Sequence, residues 1–149
     1  MSQENVEIVR RAYEAHSRGG ADAAEPYWAP DIEAFEAPEF PDATRRVGAT
    51  QFGEMLSNYM AIGWDGRFEV QEYIDADPEV IVVWRMSAVG PASGLSLSRP
   101  TSGVSLSPTI FFHVWQLEDG KLKRLRQFLS REQALEAAGL SEQDAHADS

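Results

Sequence analysis

Between Thr109 and Leu140 the chain reads TIFFHVWQLEDGKLKRLRQFLSREQALEAAGL, and this block restricts the fold more than any other stretch. Residues 109–117 and 121–129 are rich in β-branched, aromatic and aliphatic side chains, with Glu118-Asp119-Gly120 between them. The pattern predicts a hairpin with a three-residue turn, Gly120 taking the left-handed position. In that register Leu117 pairs with Lys121 and His113 with Leu125. Phe111, His113 and Trp115 then share an inner face with Leu125, Gln127 and Leu129. The outer face carries Ile110, Phe112, Val114, Arg124, Arg126 and Phe128. Ser130 opens a capping box with Gln133, and Gly139-Leu140 closes a short helix as a Schellman stop.

Upstream, helices come first and strands later. Val6, Val9, Ala12, Tyr13 and His16 recur at helical spacing, which predicts an amphipathic helix over residues 3–17, ended by Gly19-Gly20. A short helical piece over 21–28 follows, limited by Pro26. Pro30-Asp31 opens a strand over 32–37, which a Pro-rich loop over 38–46 ends. A second long helix over 49–62 carries Phe52, Met55, Leu56, Tyr59 and Met60 on one stripe. Strands are predicted over 67–74 and 80–89, turned by Asp75-Ala76-Asp77-Pro78, and then through Leu106 into the hairpin. The run SGLSLS at 93–98 is nearly repeated as SGVSLS at 102–107 around Arg99-Pro100-Thr101. Alternating Leu and Ser about a proline turn suit a hairpin insertion over about 91–108; a low-complexity flap is the plainer alternative. The whole reads as one domain over residues 1–140, followed by a tail, 141–149, expected to be disordered.

Composition narrows the function classes. A chain of 149 residues has room for a core that needs no covalent staple. It contains no cysteine, which removes disulfides and thiolate metal sites and fits a reducing compartment. An acidic, polar beginning and the lack of any apolar run of spanning length lead to the expectation of a cytoplasmic protein without a membrane partner. Thirteen Lys and Arg against 24 Asp and Glu give a net charge of −11, so a nucleic-acid backbone would be repelled. The basic cluster Lys121, Lys123, Arg124 and Arg126 alternates along one strand and reads as a solvated face. His16, His113 and His146 lack ligand-like spacing, so no metal is expected. The serines in GLS and GVS lack the glycine of a nucleophile elbow, and no glycine-rich phosphate loop occurs.

The order of elements, the PEFPDA loop after the first strand and the closing GKLKRLRQFLSREQALEAAGL resemble the nuclear transport factor 2-like superfamily. Within it the likeness is to the small bacterial SnoaL-like proteins, and it covers about residues 6–140 apart from the Ser/Leu repeat. It implies an α+β, cystatin-like fold: a cone-shaped, strongly curved antiparallel sheet wrapped around N-terminal helices, with an apolar pocket inside. One such fold hosts many functions. The resemblance also implies roles for three residues. Tyr13 stands near the end of the first helix, where ketosteroid isomerase places its oxyanion-hole tyrosine. Glu36 ends the first strand, where the isomerase has its general-base aspartate. His113 occupies the position of the isomerase's protonated aspartate and of the catalytic aspartate of SnoaL-like polyketide cyclases. Limonene epoxide hydrolase shares the fold, but Gln127 and Ser87 stand where its two aspartates would fall.

The residues themselves allow such chemistry. A carboxylate in an apolar cavity loses hydration and becomes a competent base, while tyrosine and neutral histidine donate to an oxygen on which charge develops. That combination suits cofactor-independent isomerisation or cyclisation beside a carbonyl, with Glu36 as base and Tyr13 and His113 as donors. Trp28, Tyr59, Trp84, Phe111, Trp115, Leu125 and Gln127 are the expected pocket lining, suited to a small hydrophobic molecule. Plainer readings stand beside these: Tyr13 and His113 as hydrogen-bonded core residues, and Glu36 as a solvated loop carboxylate. A pocket that binds without catalysis is therefore the second function class. Finally, an outer face bearing Ile110, Phe112, Val114 and Phe128 predicts a homodimer through the outside of the sheet, with Arg124 and Arg126 neutralising acidic groups of the partner.

Overall fold

The apolar stripe of the first helix, Val9 and Ala12 with Val6 and Tyr13 beside them, packs into the inner core against the sheet. A computed structural model describes residues 2–38, 45–61, 67–87 and 109–140. Its helices are α1 (Ser2–Ala24), α2 (Ala49–Ala61) and α3 (Arg131–Ala137), with a 3-10 turn at Glu25–Tyr27. Its strands are β1 (Trp28–Phe35), β2 (Arg45–Val47), β3 (Arg67–Ala76), β4 (Glu79–Ser87), β5 (Thr109–Glu118) and β6 (Lys121–Phe128). They form one curved, unclosed sheet in the order β2-β1-β6-β5-β4-β3, an α+β fold as expected. One seam departs from the antiparallel expectation: β1 and β6 run parallel, because the chain leaves β1, builds the far strands and returns beside it.

Local chemistry explains most boundaries. Gly20 leaves helical geometry at φ 76°, so the first helix breaks where the Gly-Gly pair predicts, and a further helical turn leads into the 3-10 turn. The first strand begins at Trp28, earlier than expected, and takes Pro30 into its length. It can do so because its pairing with β6 is irregular between Trp28 and Glu33, where proline has no N–H to give. The three-residue β2 overlaps the end of the segment expected to be loop; such a short, charged edge strand leaves no readable alternation. In β4 the run Val80-Ile81-Val82-Val83-Trp84 is buried on both faces. Val80, Val82 and Trp84 join the inner core, Ile81 and Val83 the outer one.

The hairpin corrects the expected register and preserves the expected faces. Glu118 pairs with Lys121, so the turn has two residues, Asp119 at φ 52° and Gly120 at φ 74°, both positive as a type I′ turn requires. A two-residue turn alone would reverse the faces of β6. An irregularity after Leu117↔Leu122, with Gln116 next pairing Arg124, inserts Lys123 as an extra residue and reverses them back. His113 therefore lies opposite Gln127, not Leu125, and both are buried on the inner side.

The outer face is closed within the chain. α3 lays Ala134 and Leu135 over Ile81, Val83, Phe112 and Val114, and Ile110 and Phe128 pack at the margin. Ser130 Oγ accepts the Gln133 N–H at 3.3 Å, and Leu140 N–H to Leu135 O at 2.8 Å with Gly139 N–H to Glu136 O at 3.0 Å completes the expected Schellman stop. Arg126 binds Glu79 at 2.7 Å, Arg124 lies 3.7 Å from Glu33, and Lys123 pairs with Asp31. The basic strand thus neutralises acids of its own chain. Of the four apolar residues on which the expected homodimer rests, Phe112 and Val114 are buried within the chain, while Ile110 and Phe128 stay partly exposed. Val47, at 43%, is the exposed large hydrophobic residue among the described residues. Also among the described residues, no helix is long and apolar enough to cross a membrane. The Ser/Leu insertion 91–108, the tail 141–149 and most of the Pro-rich loop lie outside the described residues.

Two glycine substitutions separate turn from helix. Gly120→Ala places a Cβ at a positive φ with only ordinary contact, 4.0 Å from Ile8 Cδ1, so the expected loss is conformational and about 1–2 kcal/mol. Gly53→Ala, inside α2 and 3.9 Å from Trp28 Cζ3, is expected to raise stability by about 0.5–1 kcal/mol. Urea denaturation midpoints of the two variants, moving in opposite directions, check both.

Candidate functional site

Curvature of the sheet turns β5 residues Phe111, His113 and Trp115 toward α1, and α1 presents Tyr13 to two of them. The Trp115 indole N–H donates to the Tyr13 hydroxyl oxygen at 2.7 Å, and that oxygen lies 2.6 Å from His113 Nδ1. Proton accounting orients the chain. The phenol O–H needs an acceptor, and Nδ1 is the one beside it, so Tyr13 donates and the imidazole carries its own proton on Nε2. Nε2 is buried and has no hydrogen-bond partner among the described residues. Each donor thus points onward, from Trp115 to Tyr13 to His113, and the last N–H is unclaimed.

Burial keeps both titratable members uncharged. Desolvation pushes His113 down from 6.5 to about 3. It holds the Tyr13 phenol well above its ordinary value, against the smaller opposing effect of the Trp115 hydrogen bond. Trp84 and Phe111 flank the imidazole with ring centroids 5.1 and 6.2 Å away, so its surroundings are aromatic.

The chain of donors borders an apolar cavity of about 50 Å³. Tyr13, Ala12, His16 and Ala24 line it from α1; Phe52, Met55 and Leu56 from α2; Trp84, His113 and Trp115 from β4 and β5; Leu122, Leu125 and Gln127 from β6; and Trp28 from the start of β1. This volume takes a few waters, whereas sites for drug-sized ligands run to about 300–1,000 Å³. Among the lining side chains, unbranched Met55 is the one best suited to give way to a larger guest.

The sequence-predicted residues distribute unevenly. Tyr13 and His113 meet at hydrogen-bonding distance, and Trp28, Trp84, Trp115, Leu125 and Gln127 line the cavity. Phe111 is fully buried behind it, packed on Trp84 and His113. The Tyr59 side chain lies outside the described residues. Glu36 does not line the cavity. Its largely buried carboxylate sits just past β1, 3.6 Å from the Arg46 guanidinium. Gln127 instead accepts the Ala37 N–H at 3.0 Å, tying the end of β1 to β6. His16 was read from the sequence only as part of a helical stripe, although its position three residues after Tyr13 already placed it on the same face. Among the described residues no three His, Asp or Glu side chains gather as a metal site.

The sequence matches the SnoaL-like domain over residues 9–125. The chain belongs to that family. Solved structures share its fold at low identity. An NTF2-like protein from Burkholderia thailandensis is 24% identical over 92% of this chain and 98% of its own, with a TM-score of 0.65. TerC, co-crystallized with polyporic acid, is 17% identical over 91% of this chain and 98% of its own, also with a TM-score of 0.65. A protein from Kribbella flavida, provisionally assigned as a ketosteroid isomerase, is 12% identical over 87% and 79%, with a TM-score of 0.64. No curated protein matches the sequence.

The depressed histidine has a consequence for stability. In the unfolded chain His113 takes up a proton below 6.5, while in the folded chain it resists until about 3, so acid favours unfolding across that window. His16, also lowered by burial, acts in the same direction. His113→Asn keeps an acceptor near the Tyr13 hydroxyl and removes the titration. Relative to this variant, the wild type is expected to lose up to about 1.4 kcal/mol per pH unit as pH falls through the window. Denaturant melts of both proteins at a series of pH values measure the difference; parallel curves would contradict it.

Proposed function

We propose that the protein captures a small, largely apolar molecule by an acceptor oxygen such as a carbonyl, with the His113 Nε2–H as its anchor. The observation that carries this reading is the unpartnered, buried Nε2 of a histidine that lines a largely apolar cavity. Leaving such a donor unsatisfied costs about 1–3 kcal/mol, and a ligand oxygen recovers that. Tyr13 and Trp115 strengthen the donor by feeding its other nitrogen. Aromatic walls from Trp28, Trp84 and Trp115 favour a flat or ring-shaped body.

A second reading, isomerisation or cyclisation beside the carbonyl, draws on the likeness to TerC and to the provisional ketosteroid isomerase. The same donor would hold the oxygen as charge develops on it. That reading needs a base at the cavity, and Glu36, turned to Arg46, does not support it.

Because three tryptophans line the cavity, their fluorescence reports its occupation. Titration with cyclohexanone and 2-indanone is expected to change the emission of the wild type, and cyclohexane to bind about tenfold more weakly than its ketone. His113→Phe is expected to erase the preference for the ketone while keeping affinity for the hydrocarbon. Equal binding of ketone and hydrocarbon by the wild type would remove the anchor from the account.

A further inference from the structure

Three titratable side chains line the cavity among the described residues, and two of them are committed. The Tyr13 proton is spent on His113, and the phenolate that its loss would leave is opposed by burial. The one lone pair of neutral His113 takes that proton. The third is His16, one helical turn beyond Tyr13 on α1 and on the same face. Its ring makes no hydrogen bond among the described residues, and it is half-buried, so it reaches both the cavity and the solvent side. No carboxylate among the described residues lines the cavity.

We infer that His16 is the proton acceptor of this site, removing a proton from the carbon beside the carbonyl of a bound ketone. This rests on the capture of a carbonyl oxygen by His113. In the step, the C–H bond breaks and its proton passes to the free ring nitrogen of His16. The electron pair forms the carbon–carbon double bond of an enolate, and the carbonyl π pair moves onto oxygen, where the His113 Nε2–H holds it. Return of the proton to the same carbon, or to another carbon of a conjugated ligand, restores the ketone and consumes nothing. Burial lowers the basicity of His16 below that of an ordinary histidine, so its ring is neutral and ready to accept at pH 7. Partial exposure lets the captured proton exchange with water between turnovers.

The test follows the α-protons of 2-indanone by proton NMR in deuterated buffer with the full chain, beside the tryptophan-fluorescence titration of the same ketone. The wild type is expected to accelerate exchange over buffer. His16→Gln, which keeps hydrogen-bonding capacity and cannot take up a proton, is expected to lower the protein-dependent rate at least about a hundredfold, with the fluorescence response retained. His16→Asn gives a second, shorter replacement, and circular dichroism checks that both variants fold. Unchanged exchange in both folded variants overturns the proposal. So does loss of exchange in Glu36→Gln with retention in His16→Gln, which returns the role to Glu36. A wild type that binds the ketone without exchanging it overturns the base and leaves capture standing. No fluorescence response in the wild type removes both.

Discussion

The Tyr13 hydroxyl occupies a position where three requirements meet. The Trp115 indole N–H needs an acceptor, the imidazole nitrogen of His113 needs a donor, and both lie where water is excluded. A single phenol meets both needs, and either group left alone would cost about 1–3 kcal/mol. Meeting them fixes the rotation of α1 against β5, since a helix turned by one residue would carry Tyr13 about 100° away. The same contact sets the tautomer of His113 and so decides which nitrogen is left unpaired. Packing, orientation and chemistry at this site thus share one cause.

The rest of the fold can be read as support for that contact. α2 seals the inner side with Phe52, which stacks edge-on against Trp28 and Trp115 at centroid distances of 4.7 and 5.9 Å. Tyr73 of β3 meets Tyr13 edge-on at 6.3 Å and carries Arg10 over its own face at 4.9 Å, which anchors α1 to the far strand of the sheet. On the outside α3 covers the reverse of β5, and Arg131 reaches Glu72 at 3.1 Å to hold the helix down. Covering both faces removes water from β5 and keeps the field of the imidazole unscreened.

Much of this was legible in the sequence where local chemistry decides structure. The capped C-terminal helix, the Gly-Gly break and the two long helices follow from caps and periodicity, and the family resemblance marks Tyr13 and His113. The register of the hairpin depended on a conflict that pattern alone does not resolve. Asp119-Gly120 is a strong two-residue turn signal, yet the apolar alternation demands the faces of a three-residue turn; the bulge at Lys123 satisfies both. The position of Glu36 depended on a partner, Arg46, from an edge strand too short to announce itself. The closure of the outer face depended on where a seven-residue helix lands, which its own sequence does not state. His16 was visible as a spacing and invisible as a site, because a cavity is a property of several elements at once.

The most direct test of the account is the state of the His113 ring, read by long-range proton–nitrogen correlation NMR on the free protein. The expected result is a neutral imidazole with its proton on Nε2 and an acceptor Nδ1, unchanged from about pH 7 down to about pH 4. A proton on Nδ1, or a ring that titrates near the ordinary histidine value, would contradict the donor chain from Trp115 through Tyr13 on which the site is built.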